Sequence, residues 1–192
     1  MVKSATNALP FFIKGIESIN VPPLGVLNLV EPINADSGDM KLTLLNMIVT
    51  GTSQTKFIKI ERDFDAKTIS LVADIPISID GEYIMSGKIT ALNVEGKGNV
   101  KIHTNKLRVS IDIKLKSFVD KDGNEHYDVL GSDYKYDLLD KVSMKFDNLY
   151  NGDKAQGRHL VLRIISTRPN SSILDIIRIF LKAVPTHELQ KV

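Results

Sequence analysis

The segment "SSILDIIRIFLKAVP", residues 171–185, decides how this chain folds. Between Ile173 and Val184 the polar side chains are Asp175, Arg178 and Lys182, at i, i+3 and i+7. A helix here carries one narrow polar stripe and is apolar around the rest of its circumference. Ser171 or Ser172 caps it, with Asp175 three residues after Ser172 as in a capping box, and Pro185 ends it. Such a helix is ~20 Å long at 1.5 Å per residue, too short to cross a bilayer. It has to be buried in protein, and the rest of the chain must supply the partner surface.

That partner lies upstream, where hydrophobicity alternates with period 2 from about residue 40 to 150. Ile69, Leu71, Ala73, Ile75, Ile77 and Ile79 alternate with Ser70, Val72, Asp74, Pro76 and Ser78. Leu107, Val109, Ile111, Ile113 and Leu115 alternate with Arg108, Ser110, Asp112 and Lys114. Further strands are expected at Met40–Thr50, Lys56–Asp63, Glu82–Leu92, Asn99–His103, Tyr127–Tyr136 and Val142–Leu149. Between them stand "GTSQ" at 51, "DFDAK" at 63, "DG" at 80, "GKGN" at 96, "DKDGN" at 120 and "NGD" at 151, all with hairpin-turn chemistry. These imply an antiparallel meander. Pro76 cannot donate to a ladder, so its strand lies at an edge or carries a bulge there. Strands of roughly 9 to 11 residues run ~30–36 Å, and a sheet of them coils strongly.

The ends of the chain read differently. "NALPFFIKGIESI" suits a short N-terminal helix, and "VPPLG" at 21–25 is an extended connector. "RHLVLRIIS" at 158–166 is ambiguous between strand and helix, and "TRPN" interrupts it. There is no repeat and no linker, so one domain over 1–192 is expected. A sheet coiled around the helix removes both apolar surfaces from water together, so the expected class is α+β: a long, strongly curved antiparallel sheet wrapped around a hydrophobic C-terminal helix.

Composition excludes several functions. The chain has 192 residues, 43% of them hydrophobic and 25% charged, with 25 basic against 23 acidic residues. No basic run exceeds a pair, so the footprint of a nucleic-acid binder is missing. Cysteine is absent, which removes disulfides, thiolate nucleophiles and cysteine zinc sites. "MVKSATNALPFFIKG" has an apolar run too short for a signal peptide, so a leader was cut off or never present. No window approaches a membrane span, and stable membrane insertion is not expected.

Specific residues then point to a family. "FDNLYNGDKAQG" at 146–157 resembles a signature of the takeout and haemolymph juvenile hormone binding protein family of insects. "GIESINVPPLGVLNL" at 15–29 is similar to that family's opening, "GKGN" at 96–99 to its glycine-rich turn, and "VPTHEL" at 184–189 to its close. The resemblance runs from about residue 8 onward. It implies a C-terminal helix inside a curved sheet, with a hydrophobic tunnel that carries a juvenile hormone, another terpenoid or a fatty compound. It also implies an extracellular, haemolymph location, with a cytoplasmic one as the alternative. Two departures stand out: the family's cysteine pair and secretion signal are absent from this sequence, and the last segment is about ten residues shorter, interrupted by Pro169.

Classical sites find little support. The histidines at 103, 126, 159 and 187 have no i, i+3 or i+4 pairing, so they read as surface residues and not as metal ligands. "DKDGNEH" has its glycine at the wrong position for a calcium loop and reads as a turn. "GKGNVK" lacks the third glycine of a dinucleotide motif. Nothing resembles a "GxSxG" nucleophile, and the "NSS" at Asn170 has the form of a glycan acceptor but reads as a helix cap. No catalytic residue, metal or cofactor is expected.

The candidate site is therefore the inner apolar surface. From the N-terminal helix comes Phe12; from the strands come Leu42, Leu44, Met47, Ile69, Leu71, Ile75, Ile77, Tyr83, Met85, Val109, Ile111, Ile113, Tyr134, Tyr136, Met144 and Phe146. The C-terminal helix adds Ile173, Leu174, Ile177, Phe180 and Leu181. Methionines offer adaptable lining and tyrosines a single hydroxyl beside an apolar ring. The expected function is a non-catalytic carrier of a small hydrophobic ligand; the alternative is a protein of the same fold with a filled interior, acting through a protein partner.

Overall fold

The computed structural model describes residues 1–36, 38–89, 92–148 and 177–189. Expectations for "NGD" at 151, for 158–166, for the Ser171 and Ser172 cap and for Asn170 lie outside them, as do Ile173 and Leu174.

Helix α1 (Val2–Lys14) opens the chain. Its turned-in side is Val2, Ala5, Ala8, Leu9, Phe12 and Ile13, at helical spacing, while Lys3, Asn7, Pro10, Phe11 and Lys14 face solvent. Eight strands follow: β1 (Leu27–Leu29), β2 (Ile33–Asn34), β3 (Lys41–Thr50), β4 (Lys56–Asp63), β5 (Thr68–Ile89), β6 (Leu92–Val119), β7 (Glu125–Leu138) and β8 (Val142–Phe146). Near the C-terminus, residues 177–183 are helical (α2) and a short turn of helix, α3 (Thr186–Leu189), comes after Pro185.

All eight strands among the described residues belong to one antiparallel sheet, curled but not closed. It is not a simple meander. β5 and β6 are the spine, 22 and 28 residues long. β3 and β4 lie end to end along the other edge of β5, and β7 and β8 end to end along the other edge of β6. The expected strands 69–79 and 82–92 are thus one strand, and so are 99–103 and 107–115. "DG" at 80 and "GKGN" at 96 are not turns but strand interior. Glycine is needed there for space: a Cβ on Gly81 would meet the Met47 sulfur, and one on Gly98 would lie 2.8 Å from the Asp147 carbonyl oxygen.

Every ribbon is interrupted at the same level. β3 gives way to β4 through a turn at Thr52–Gln54, β5 carries Pro76, β6 shifts register between Thr104 and Leu107, and β7 gives way to β8 after Leu138. The bulge expected at Pro76 is present, with the extra residue on β6 opposite it. These breaks make one crease across the sheet. Asp74 pins its outer side: Arg108 donates from Nε and Nη2 at 2.7 and 2.9 Å, and Lys106 in the bulge lies at 3.2 Å. The Thr52 hydroxyl donates to the Leu24 carbonyl at 2.7 Å, tying the connector after α1 to the crease.

The "DKDGN" turn forms as expected. The Asp120 carboxylate accepts from the Asp122 and Asn124 amides at 2.9 and 2.8 Å. It also meets His126 Nε2 at 3.0 Å. His126 corrects the surface reading: it is buried, stacked on Phe118, because the edge strand that carries it is covered on both faces. His103 and His187 are exposed.

Candidate functional site

Residues directly opposite in an antiparallel ladder share a face, so the registers define the inner surface row by row. On one side of the crease the rows are Arg62–Ile69–Ile113–Ser132, Ile60–Leu71–Ile111–Tyr134, Phe57–Ala73–Val109–Tyr136 and Ile75–Leu107–Leu138. On the other side they are Ile77–Thr104–Val142, Val49–Ile79–Ile102–Met144, Met47–Gly81–Val100–Phe146, Leu44–Tyr83–Gly98 and Leu42–Met85–Gly96. The bulges keep these faces apolar. At Thr104/Leu107 the inward positions of β6 switch from even to odd, and at Leu130 those of β7 switch from odd to even.

The two sides differ in how they are covered. Leu42, Leu44, Met47, Ile79, Tyr83, Val100 and Ile102 are at most 2% exposed, and Ile77 and Met85 are buried too. Across the crease Val109, Ile111 and Ile113 are buried along β6, but the flanking Ile69, Leu71, Ile75, Tyr134 and Tyr136 are half-buried. Phe57 and Ile60 share that condition, as do Met144 and Phe146 on β8. Ile69, Leu71, Ile75, Tyr134, Tyr136, Met144 and Phe146 pack against the core but are less completely covered than its members.

The C-terminal helix reaches this surface. Leu181 is part of the buried core, with Ile177 packed against it, and Phe180 meets Phe12 edge-to-face with centroids 5.3 Å apart. Its polar stripe also has a partner: Arg178 and Lys182 lie 3.3 and 3.4 Å from the Asp128 carboxylate of β7, with Lys116 at 3.5 Å. Burial would raise the Asp128 pKa, but Lys182, the Val129 amide and Lys116 more than offset it and hold the carboxyl below its ordinary value. Thr186 donates to Glu125 at 3.3 Å. These contacts bury His126, Tyr127, Asp128 and Val129 in succession on an edge strand.

Aromatic groups punctuate the accessible side. The rings of Tyr134 and Tyr136 stack at 6.3 Å, those of Phe64 and Tyr127 at 5.9 Å, and the Arg62 guanidinium lies over Phe64 at 4.7 Å. Burial and the neighbouring Tyr134 push the Tyr136 hydroxyl up to about 12, so it stays protonated at any physiological pH. On the filled side the Tyr83 hydroxyl donates to the Asp147 carbonyl at 2.6 Å. Among the described residues no group of His, Asp and Glu could hold a metal ion. No described helix is long and apolar enough to cross a membrane.

A curled antiparallel sheet with an apolar inner face, met by a C-terminal helix, is also what comparison finds. The family model for haemolymph juvenile hormone binding protein matches residues 1–179. The chain belongs to that family. The matched span begins before the resemblance legible from residue 8 and stops short of "VPTHEL" at 184–189. Takeout 1 of Epiphyas postvittana has the same fold, with a TM-score of 0.80 and 20% identity over 98% of this chain and 93% of that one. Lipopolysaccharide binding protein aligns with a TM-score of 0.39 and 13% identity over 99% of this chain and 38% of that one, too weak a likeness to build on. Among curated proteins none matches by sequence.

Of the anticipated lining, the accessible members are Phe12, Ile69, Leu71, Ile75, Tyr134, Tyr136, Met144, Phe146, Ile177 and Phe180. Leu42, Leu44, Met47, Ile77, Tyr83, Met85, Val109, Ile111, Ile113 and Leu181 are core. Arg62 escaped the sequence analysis. The signal was available: Ile58 sits in a bulge of β4, so parity there shifts and puts Arg62 on the inner side with Phe57 and Ile60.

Proposed function

We propose that this member of the family is a non-catalytic carrier that shelters a small hydrophobic ligand, a juvenile hormone, other terpenoid or lipid, between the curled sheet and the C-terminal helix, with residues 1–192 acting as one unit. The observation that carries the proposal is the inner row Ile69, Leu71 and Ile75, apolar side chains that face inward, pack against the core and yet stay only half-buried. Membership of a family named for binding a hormone supports it. An extracellular location follows the same family reasoning.

Magnitudes are adequate without a charged anchor. Burying ~400 Å² of an isoprenoid at ~25 cal/mol/Å² gives roughly 10 kcal/mol. Association costs at least ~4 kcal/mol, leaving about 6 kcal/mol, or tens of micromolar. One tyrosine hydrogen bond at ~1 kcal/mol improves this several-fold.

Two measurements test the carrier. Solvent extraction of the purified protein followed by mass spectrometry should yield a lipid-like molecule. Phe180→Asp, at the junction with Phe12, should abolish binding of a neutral apolar fluorophore while Lys182→Ala, on the polar stripe, preserves it. Equal binding by wild type and Phe180→Asp refutes the proposal.

A further inference from the structure

On the accessible side the outer strands of the sheet are β4 and β7: among the described residues β4 pairs with β5 alone and β7 with β6 alone. α1 packs on β4, the C-terminal segment packs on β7, and the two meet where the Phe12 ring touches Phe180. Polar groups fasten that segment to β7. The Asp128 carboxylate, 12% exposed, receives Arg178 and Lys182 from α2 at 3.3 and 3.4 Å and Lys116 from β6 at 3.5 Å. Three positive charges thus converge on one carboxylate, and just beyond α2 the Thr186 hydroxyl adds a bond to Glu125.

We propose that residues 177–187 form a strap whose clasp is Asp128, and that undoing this clasp sets the rate at which a ligand enters and leaves the accessible side; this rests on the carrier reading above. A carboxylate so far from water is costly alone, and its cations offset that cost. The converse also holds. Without the carboxylate, Lys116 on the sheet faces Arg178 and Lys182 on the strap, and like charges push sheet and strap apart. Lys116, Arg178 and Lys182 keep 56, 42 and 47% of their side-chain surface exposed, so dissolved ions reach the clasp and screen it. The strap's apolar contacts, Leu181 in the core and Phe180 on Phe12, carry no charge for salt to screen. Position separates the clasp from the guest. Tyr127 and Val129 turn inward with Ser117 and Leu115, whereas Asp128 between them turns outward with Lys116. A contact made equally in the empty and the loaded protein changes both exchange rates and leaves the affinity where it was.

The test follows N-phenyl-1-naphthylamine, a neutral apolar fluorophore, into and out of the full chain by stopped flow, at low salt and in about 0.5 M sodium chloride. Asp128→Asn should raise the association and dissociation rates together, by about tenfold at low salt, with the dissociation constant unchanged. Salt should speed exchange in wild type and do so much less in Asp128→Asn. Asp80→Asn, which breaks the exposed pair with Lys101 beyond the crease, should exchange the probe as wild type does. The chain has no cysteine, so Glu125→Cys with Thr186→Cys can be joined by a short bis-maleimide that fixes the strap while Asp128 stays in place. The joined protein should exchange the probe about tenfold more slowly. Wild-type rates in Asp128→Asn, or unslowed exchange in the joined protein, overturn the clasp and leave the carrier standing. A weaker affinity in Asp128→Asn at an unchanged association rate overturns it too, because Asp128 then supports the site itself. Should Asp128→Asn fail to fold, the joined protein decides. A wild-type protein that binds no probe removes the carrier itself and this inference with it.

Discussion

The two sides of the crease are built from the same alternating strands and end in different states. Beyond Pro76 toward the β5–β6 hairpin, Leu42, Leu44, Ile79, Tyr83 and Ile102 are closed off completely, and even the Tyr83 hydroxyl is spoken for by a backbone carbonyl. On the other side, inward-facing Ile69, Leu71, Ile75, Tyr134 and Tyr136 retain accessible surface, and a cation joins the row. One side is buried across β3, β5 and β6; the other is buried along β6 but keeps half-buried apolar side chains on its flanking strands. The crease lets the two sides differ, because bulges re-aim strands without interrupting the chain.

Paired truncations would break the comparison most directly. Leu44→Ala removes a side chain with no exposed surface and should cost about 2–5 kcal/mol through lost transfer energy and the cavity left behind. Leu71→Ala, half-buried on the accessible side, should cost only about 1–2 kcal/mol by the smaller area it removes from contact. Urea midpoints of the ligand-free proteins measure both. Equal losses would mean that the accessible side is as tightly packed as the other.

The crease itself has a pH signature. The Arg108 side-chain bond holds the Asp74 carboxyl below its ordinary value, burial works against this, and Lys106 adds to it. A depressed folded pKa gives stability that is present above the ordinary value of 3.8 and lost as pH falls through the lower, folded one. Asp74→Asn should therefore destabilise by about 1–3 kcal/mol at neutral pH, since a largely buried charge-assisted pair is broken. The deficit should shrink as pH drops toward 3, where wild type loses the same contribution. Denaturant midpoints at several pH values decide it, and a gap that stays constant with pH would remove Asp74 as the titrating pin.

Much of this was legible in the sequence because period 2 is a local signal. Ile69 to Ile79 and Leu107 to Leu115 needed only counting, and Pro76 announced its own bulge. The joins were harder. Asp80–Gly81 and Gly96–Gly98 have the composition of turns, yet in space their missing side chains make room for Met47 and for the Asp147 carbonyl, contacts between residues far apart in the chain. The switch from Val100, Ile102 and Thr104 to Leu107 and Val109 was a visible phase slip, the mark of one bulged strand and not two. His126 looked like a surface residue because nothing in its neighbourhood shows that the C-terminal segment will cover its strand. The site was the least legible part. Leu44 and Leu71 are the same residue in the same alternation, and only tertiary packing closes off the first and leaves the second half-buried.

The finest test of that separation is a single oxygen atom. Tyr136 stacks on Tyr134 on the accessible side, and with its pKa pushed to about 12 its hydroxyl is a neutral donor throughout the physiological range. Tyr136→Phe keeps the ring and its stacking, so the stability change should stay within the ~1 kcal/mol of a hydroxyl's own contacts. A purely hydrocarbon probe should bind as before. A ligand with an ester, epoxide or carbonyl oxygen should lose ~1 kcal/mol, a factor of roughly five, because only such a ligand uses the hydrogen bond. If both classes weaken equally, the ring and not the hydroxyl is what the ligand meets. If neither weakens, Tyr136 faces away from the guest, and the accessible surface that matters is confined to the β4–β5 side, where Ile69, Leu71 and Ile75 lie.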